Sequence, residues 1–438
     1  MKRTMTATPP ALGARAWATV VLVGLVGQLA WTIENMYLNV FVYNTITTDP
    51  TVIAVLVAAS AVAATLATLT VGAWSDRVGR RREFIAAGYV LWGATTAAFG
   101  LVRPQLPDGV ALGAPEAARA VGVAVVTIVV LDCVMSLFGS GANDAAFNAW
   151  VTDSTTPANR GRVDGVLATL PLVSMLIVFG LLDGLTQRGD WELFFGIVGA
   201  TTAAVGVVAW FLVRDRQPLE RVADGYLASL VHGLRPSTMR AHPRLYVTLL
   251  AVAILGVSSQ VYLPYLIIYL QRFLQIDAYA LALGVVLILA SLVSVAAGRF
   301  IDRVGKTRAI LPLTALLLAG LVGMFLARGL VSVIVAGTVM MGGMLGAGAA
   351  AAATVRDHTP AGRVGMVQGL RMVALVLVPM VVGPFIGAAV IVGANETYVD
   401  LGVERQVPTP WMFLFAAAIA LLVIAPVTWL RRLPEERP

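Results

Sequence analysis

The sequence predicts an all-α membrane protein of twelve transmembrane helices, arranged as two pseudo-symmetric six-helix bundles. Three observations predict it: twelve long apolar runs, a charged fraction of 13% against 58% hydrophobic residues, and a polar motif that recurs at matching places in the two halves. Soluble domains carry about 25% charged residues. Each bilayer span takes about 20 apolar residues. With no water to pair with the backbone, only helices or closed barrels can cross. The runs are continuous, not alternating, which excludes a transmembrane barrel.

The runs fall near 17–43, 51–74, 84–102, 121–150, 164–186, 191–213, 244–271, 278–300, 309–327, 330–355, 364–393 and 411–430. The first follows Lys2, Arg3 and Arg15, as a signal peptide would. It is longer than the ~7–15 residues of a signal-peptide core, and reads as a retained helix. The longest polar connection runs from Arg214 to Pro243. It divides the chain into an N-terminal bundle (1–213), a cytoplasmic linker (214–243) and a C-terminal bundle (244–438).

Orientation follows from the basic residues. With the N-terminus inside, 25 of the 31 Lys and Arg fall in inward-facing segments. Basic residues are retained on the cytoplasmic side. The expectation is a multi-pass protein of the plasma (inner) membrane, its lipid bilayer the first partner, with both termini cytoplasmic. The net charge of +7 is then a topology signal, and no nucleic-acid partner is expected. Cys133 has no second cysteine to pair with. His232, His242 and His358 lie in connecting segments without zinc-ligand spacing, so no metal and no cofactor is expected. Phosphate-loop, His-Glu-x-x-His and Gly-x-Ser-x-Gly motifs are missing from the sequence, and an enzyme finds no support.

The halves repeat. Gly72-Ala-Trp-Ser-Asp76-Arg77-Val-Gly79-Arg80 follows the second run, and Gly298-Arg-Phe-Ile-Asp302-Arg303-Val-Gly305-Lys306 follows the eighth. A second echo follows the fourth and tenth runs: Asp153-Ser-Thr-Thr-Pro157-Ala-Asn-Arg160 against Asp357-His-Thr-Pro360-Ala-Gly-Arg363. The spacing between copies shortens from the first echo to the second because the connection after the third run, Arg103 to Ala120, is long and its partner near Arg328 is short. Internal repeats of this kind mark transporter folds.

These residues resemble the major facilitator superfamily over essentially the whole chain. The Gly-x-x-x-Asp-Arg-x-Gly-Arg-Arg element is that family's signature, and its weaker copy stands where the family has one. Asp153 with Arg160-Gly161 is similar to the Glu-x6-Arg-Gly element of sugar porters, with Asp for Glu. Asp357 and Arg363 are one residue closer, which departs from that pattern. Trp31-Thr-Ile-Glu34-Asn35-Met-Tyr37-Leu-Asn39 is loosely similar to cation-coupled sugar symporters, the glycoside–pentoside–hexuronide and sucrose-type carriers. The resemblance implies alternating access around a central cavity, a monomer, and an inner gate. The gate set is Gly72, Asp76, Arg77, Gly79, Arg80, Asp153, Arg160, Asp302, Arg303, Asp357 and Arg363. Glycines allow close helix approach, an acid suits a helix N-terminus, and Arg77, Arg80 and Arg81 can pair with carboxylates such as Asp153. The competing reading is a basic loop that only fixes topology.

Polar residues inside the runs are costly in lipid and usually face a cavity. In the first helix Gln28, Thr32, Asn35, Asn39 and Tyr43 share one face, with Glu34 beside them about 25 Å up the helix. In the fourth, Asp132, Ser136, Ser140, Asn143 and Phe147 form a second stripe flanked by Asp144 and Asn148. Glu34 and Asp132 are the expected ion-coupling acids, because carboxyls taken out of water bind protons readily; an ionised carboxylate could hold sodium instead. In the seventh, Ser258, Tyr262, Tyr265 and Tyr269 align, with Gln260 near and Pro264 between them as a potential bend. Such a face suits sugar rings, though an aromatic stripe also packs helices. Gln28, Asn35, Asn39, Tyr43, Asn143, Gln260, Tyr262 and Tyr265 are therefore the expected substrate residues. Arg371, three residues after Gln368, either snorkels to the interface, the preferred reading, or pairs with a fourth-helix acid or an anionic substrate. Asp183, at the end of the fifth run, is expected to reach water.

The expected function is secondary active transport of a small polar solute, a sugar or glycoside first, coupled to protons. The nearest alternative is a drug/proton antiporter, whose cavity should be more apolar. A non-transporting receptor or a lipid-modifying enzyme would need a large soluble domain or an interfacial His or Asp pair, and the sequence offers neither.

Overall fold

The computed structural model describes residues 12–105, 114–215, 232–360, 364–400 and 403–433. Among them are twelve helices long and apolar enough to cross a membrane: α1 Ala14–Thr45, α2 Pro50–Ser75, α3 Arg81–Leu101, α4 Pro115–Ser154, α5 Asn159–Gln187, α6 Trp191–Leu212, α7 Pro243–Phe273, α8 Tyr279–Val304, α9 Lys306–Leu326, α10 Leu330–Asp357, α11 Met366–Ala394 and α12 Trp411–Arg432. Each takes up one apolar run. Large apolar side chains such as Trp74, Leu181, Phe211, Leu292 and Val331 stand on the outside of the bundle, the surface that a multi-pass membrane protein offers to lipid.

Within the first half α3 packs along α6 and α1 along α5; within the second, α10 packs on α8 and α9. The α3–α6 contact depends on glycine: a Cβ on Gly93 would lie 2.3 Å from the carbonyl oxygen of Gly199. The halves meet where α2 lies against α11, α5 against α8 and α1 against α7. Because the span number is even, α1 starts and α12 ends on the same face, here the termini face; the other is the far face.

Three local features bear on the site. Among the described residues five stretches are π-helical: Ile33–Tyr37 in α1, Ser140–Phe147 in α4, Val178–Leu182 in α5, Tyr269–Phe273 in α7 and Val373–Leu377 in α11. Next, α7 is interrupted by a 3-10 turn at Leu263–Tyr265 around Pro264, which cannot donate a backbone hydrogen bond. Finally, a two-stranded antiparallel hairpin, Thr397–Asp400 with Val403–Gln406, joins α11 to α12 on the far face. The sequence reading had no strand there.

The linker contains a short helix, Pro236–Ala241; its residues 216–231 lie outside the described set. Helix α2 continues as helix to Val78, and Gly79 ends it in the left-handed region (φ 70°), its N–H donating to Ser75 O at 2.9 Å. Gly79 therefore has a conformational reason to be glycine. Gly72 does not have the close approach expected of it: a Cβ there would meet that of Ala145 at 3.5 Å, an ordinary contact.

Candidate functional site: two adjoining cavities between the halves

A polar cavity of about 430 Å³ lies between α1, α2, α4 and α11. Its polar lining is Glu34, Asn35, Ser60, Thr68, Ser140, Asp144, Asn148, Gln368 and Arg371, with the Trp31 indole on one side. Asn148 and Gln368, toward the termini face, are exposed, and so is Asn35 at the middle of α1. This cavity is therefore reached from the termini face.

Deeper toward the far face lies a second cavity of about 300 Å³, walled by α1, α5, α7, α8, α9 and α10. Its polar side chains are Gln28, Thr32, Asn35 and Gln260; the rest is mainly apolar, including Met36, Met175, Met324, Met340 and Met341. Trp31 and Asn35 line both cavities. The Trp31 ring is braced by Trp92, with centroids 5.0 Å apart.

Glu34 is 7% exposed and Asp132 is 1% exposed. Ser136 Oγ donates to Glu34 Oε1 at 2.7 Å. Glu34 Oε2 and Asp132 Oδ1 are buried and have no hydrogen-bond partner among the described residues. Buried oxygens are normally paired, so an orphaned carboxylate oxygen is a place for a proton or a cation. Glu34 lines the cavity directly; Asp132 sits behind it, close enough to act on it electrostatically.

The π-helical turns explain which expected residues line the two cavities. One residue extra in a turn rotates everything beyond it by about 100° relative to an uninterrupted helix. In α1, Gln28 and Thr32 precede the π turn, Asn35 sits in it, and all three line the apolar cavity. Asn39 and Tyr43 come after it and line neither. Asn39 is fully buried and donates to Asn35 O at 3.0 Å. Tyr43 donates to Gln406 O at 2.5 Å in the hairpin. In α4 the wide turn presents Ser140, Asp144 and Asn148 to the polar cavity. Asn143 turns away: its Nδ2 donates to Asp144 Oδ1 at 3.0 Å and its Oδ1 accepts from Tyr89 at 2.9 Å.

The tyrosine face of α7 also packs. Tyr262 packs tilted and Tyr269 edge-on against Phe413, with centroids 5.5 and 5.2 Å away. The Tyr265 hydroxyl lies 2.9 Å from Pro384 O and 3.1 Å from Pro50 O. Of the seventh-helix candidates only Gln260 lines a cavity, beside Pro264. Arg371, for which snorkelling was the preferred reading, lines the polar cavity and donates to Gln368 Oε1 at 3.1 Å. Trp31, Ser60, Asp144 and Asn148 were not among the expected substrate residues. Spacing of four from Ser140 was the signal that could have found Asp144 and Asn148. Among the described residues, no three His, Cys, Asp or Glu side chains are grouped to hold a metal ion.

On the termini face each half ties its own loop to its own helix end. Arg81 Nε meets Asp153 Oδ2 at 3.4 Å, and Arg81 Nη1 donates to Ser75 Oγ at 2.6 Å. Arg81 is one of the three arginines expected to pair with Asp153, and Arg77 and Arg80 are the other two. Arg80 instead pairs with Glu83 at 3.2 Å and Arg77 is exposed. Arg160 holds the end of α4 through Thr155 Oγ1 (3.2 Å) and Thr152 O (3.3 Å). In the second half Lys306 Nζ meets both oxygens of Asp357 at 2.6 and 2.7 Å, while Asp302 and Arg303 are exposed. Asp76 lies in helix but its side chain, and Arg363 altogether, fall outside the described residues.

The far face is where the halves bond to each other. Besides Tyr43–Gln406 and Tyr265–Pro50, Arg272 donates to Asn44 Oδ1 at 2.8 Å. Tyr279 of α8 donates to Asp183 of α5 at 2.5 Å. Asp183 does not reach water as expected. It is 2% exposed and also accepts from Tyr37 (2.8 Å) and Gln187 (2.6 Å). These four side-chain hydrogen bonds between the halves all lie at the far end. The molecule is closed there and open toward the termini face.

A family model described as Major Facilitator Superfamily matches residues 20–352 and again 249–438. No curated protein matches in sequence. Among solved structures, the nucleoside transporter NupG is similar at 12% identity and TM-score 0.70, over 94% of this chain and 98% of its own. A bacterial homolog of the human lysosomal transporter Spinster, inward-facing and occupied, is similar at 15% and 0.70, over 97% and 98%. The xylose transporter XylE from E. coli, partially occluded and inward open, is similar at 14% and 0.64, over 95% and 98%. Likeness at such identities speaks for the fold.

Proposed function

This chain belongs to the Major Facilitator Superfamily, a transporter family, and on that premise we propose that it is a proton-coupled carrier of a sugar or glycoside. It works as a monomer by alternating access in the plasma membrane, with the termini face cytoplasmic. The bias of basic residues supports that orientation, which makes the conformation described here inward-open.

The observation that carries the proposal is Glu34: a carboxylate in mid-membrane, one oxygen held by Ser136 and the other unpartnered, on the wall of a polar cavity. Intramembrane carboxylates are functional by default because their burial is so unfavourable. Proton binding at Glu34, with Asp132 behind it, changes the charge of the pocket that the substrate enters. Asn35, Asp144, Asn148, Gln368 and Arg371 offer donors and acceptors for hydroxyl groups, and the braced indole of Trp31 offers an apolar face to a sugar ring. The α7 tyrosines and Asn39, Tyr43 and Asn143 no longer belong to the substrate set.

A specific observation favours a second reading. The deeper cavity is apolar and rich in methionine, which adapts to varied ligand shapes, and drug/proton exchange fits such a wall. A thermal-shift screen of the purified protein separates the two, since a ligand that binds only the native state raises its stability. Sugars and glycosides are tested against lipophilic cations, each with and without sodium and at two pH values. Stabilisation by a sugar that depends on pH and not on sodium is the expected result. Stabilisation by lipophilic cations alone replaces this proposal with the antiporter.

A further inference from the structure

Taking the polar cavity as the sugar pocket, as proposed above, we infer that the substrate is bipartite: a glycoside whose apolar aglycone occupies the methionine-lined cavity. The inference starts from the shared wall. Trp31 and Asn35 border both cavities, so a molecule seated beside Glu34 and Arg371 has the deeper space on the other side of those two side chains. That space offers little to a free sugar. Its four polar side chains, Gln28, Thr32, Asn35 and Gln260, sit on two helices, and Thr32 is already committed to Gln28 O (2.8 Å) and Ser174 Oγ (3.0 Å). The remaining walls cannot satisfy hydroxyl groups, and burying a polar group unpaired is unfavourable.

An aryl or alkyl group suits those walls. Apolar burial is favourable in proportion to area, and the flexible thioethers of Met324, Met340 and Met341 can mould to a ring and contact its edge. The cavity is about two-thirds the size of the polar one (300 against 430 Å³), room for a group comparable with the sugar. The two chemistries are also ordered along the path. The polar end lies nearer the termini face and the apolar end deeper, so the aglycone points toward the far-face closure.

The test measures affinities of methyl, n-hexyl and phenyl glycosides of glucose, galactose and xylose for the purified full chain in detergent. Expected is one sugar series in which the phenyl or hexyl glycoside binds at least tenfold more tightly than the methyl glycoside. M341W and L287W, which narrow the deep cavity from α10 and α8, should pull that ratio toward one. Equal binding of methyl and phenyl glycosides overturns the bipartite substrate and leaves the sugar pocket standing. A preference for phenyl that both variants leave unchanged places the aglycone elsewhere and overturns it too. Binding by no glycoside in any series overturns the sugar pocket itself, and the bipartite substrate with it.

Discussion

Among the described residues the first six helices hold all the buried carboxylates, Glu34, Asp132 and Asp183, with Asp144 half-buried. The last six hold none: Asp277, Asp302, Asp357 and Glu396 are exposed. The second half gives the deep cavity Met324, Met340 and Met341 from α9 and α10, one broken helix, and the polar cavity one charge, Arg371. Two halves with the same plan of helices and the same loop motif have thus divided the work. The first carries the ionisable chemistry on α1 and α4. The second presents a mostly apolar wall, the face that the proposed rocking of one bundle on the other would move against it.

The strongest way to break this comparison is Glu34→Gln. If ion coupling resides in the first half, this change abolishes gradient-driven accumulation while exchange of bound substrate across vesicles persists. Accumulation at the level of the unaltered protein would remove Glu34 from the coupling role. Next is Arg371→Gln, which takes the single charge from the opposing wall. A hydrogen bond to a charged group is worth about 1.5–3 kcal/mol, so substrate affinity should fall roughly tenfold to a hundredfold. Arg371→Lys should recover only part, because lysine lacks the planar fork. Unchanged affinity in Arg371→Gln would return Arg371 to the interface, the role the sequence suggested.

Third is the closure that joins the halves. Asp183→Asn removes the charge that accepts from Tyr37, Tyr279 and Gln187. The far-open population should rise by about tenfold, the equivalent of some 1.4 kcal/mol. In a Cys133→Ala background, labelling of Leu287→Cys by an impermeant thiol reagent from the far side reads this directly. Tyr279→Phe, which removes the one of these donors that comes from the other half, should produce most of the same shift.

The twelve spans, their division into halves and the loop motif were legible because they depend on composition and periodicity alone. The site was legible only up to the π-helical turns. Gln28 and Asn35 lie before or within the α1 turn and were placed on the cavity face; Asn39 and Tyr43 lie beyond it and were carried round with an unbroken 3.6-residue period that the helix does not keep. In α4 the same error selected Asn143 over Asp144. Asp183 was misjudged for another reason. Its place at a run's end suggested water, and the hydroxyls that bury it come from α1 and α8, far away in sequence. Aromatic stripes face a ligand or a neighbouring helix with the same spacing, so Tyr262 and Tyr265 could not be assigned before their contacts were seen.

The smallest expected effect sharpens the comparison at the loops. Arg81–Asp153 and Lys306–Asp357 join matching loops to matching helix ends from positions one residue apart in the repeat, yet the first pair is largely buried (side chains 8% and 28% exposed) and the second is not (44% and 51%). An exposed pair contributes about 0–1 kcal/mol and is screened by salt. Breaking a buried one is worse, because it strands a desolvated charge. Lys306→Ala should therefore shift thermal stability slightly, and that shift should fade at high salt. Arg81→Ala, which also strips Ser75 Oγ of its guanidinium partner, should cost more and keep its cost in salt. Equal, salt-sensitive effects at both positions would mean that the two loops are equivalent in strength as well as in sequence, and that the asymmetry between the halves is confined to the cavity.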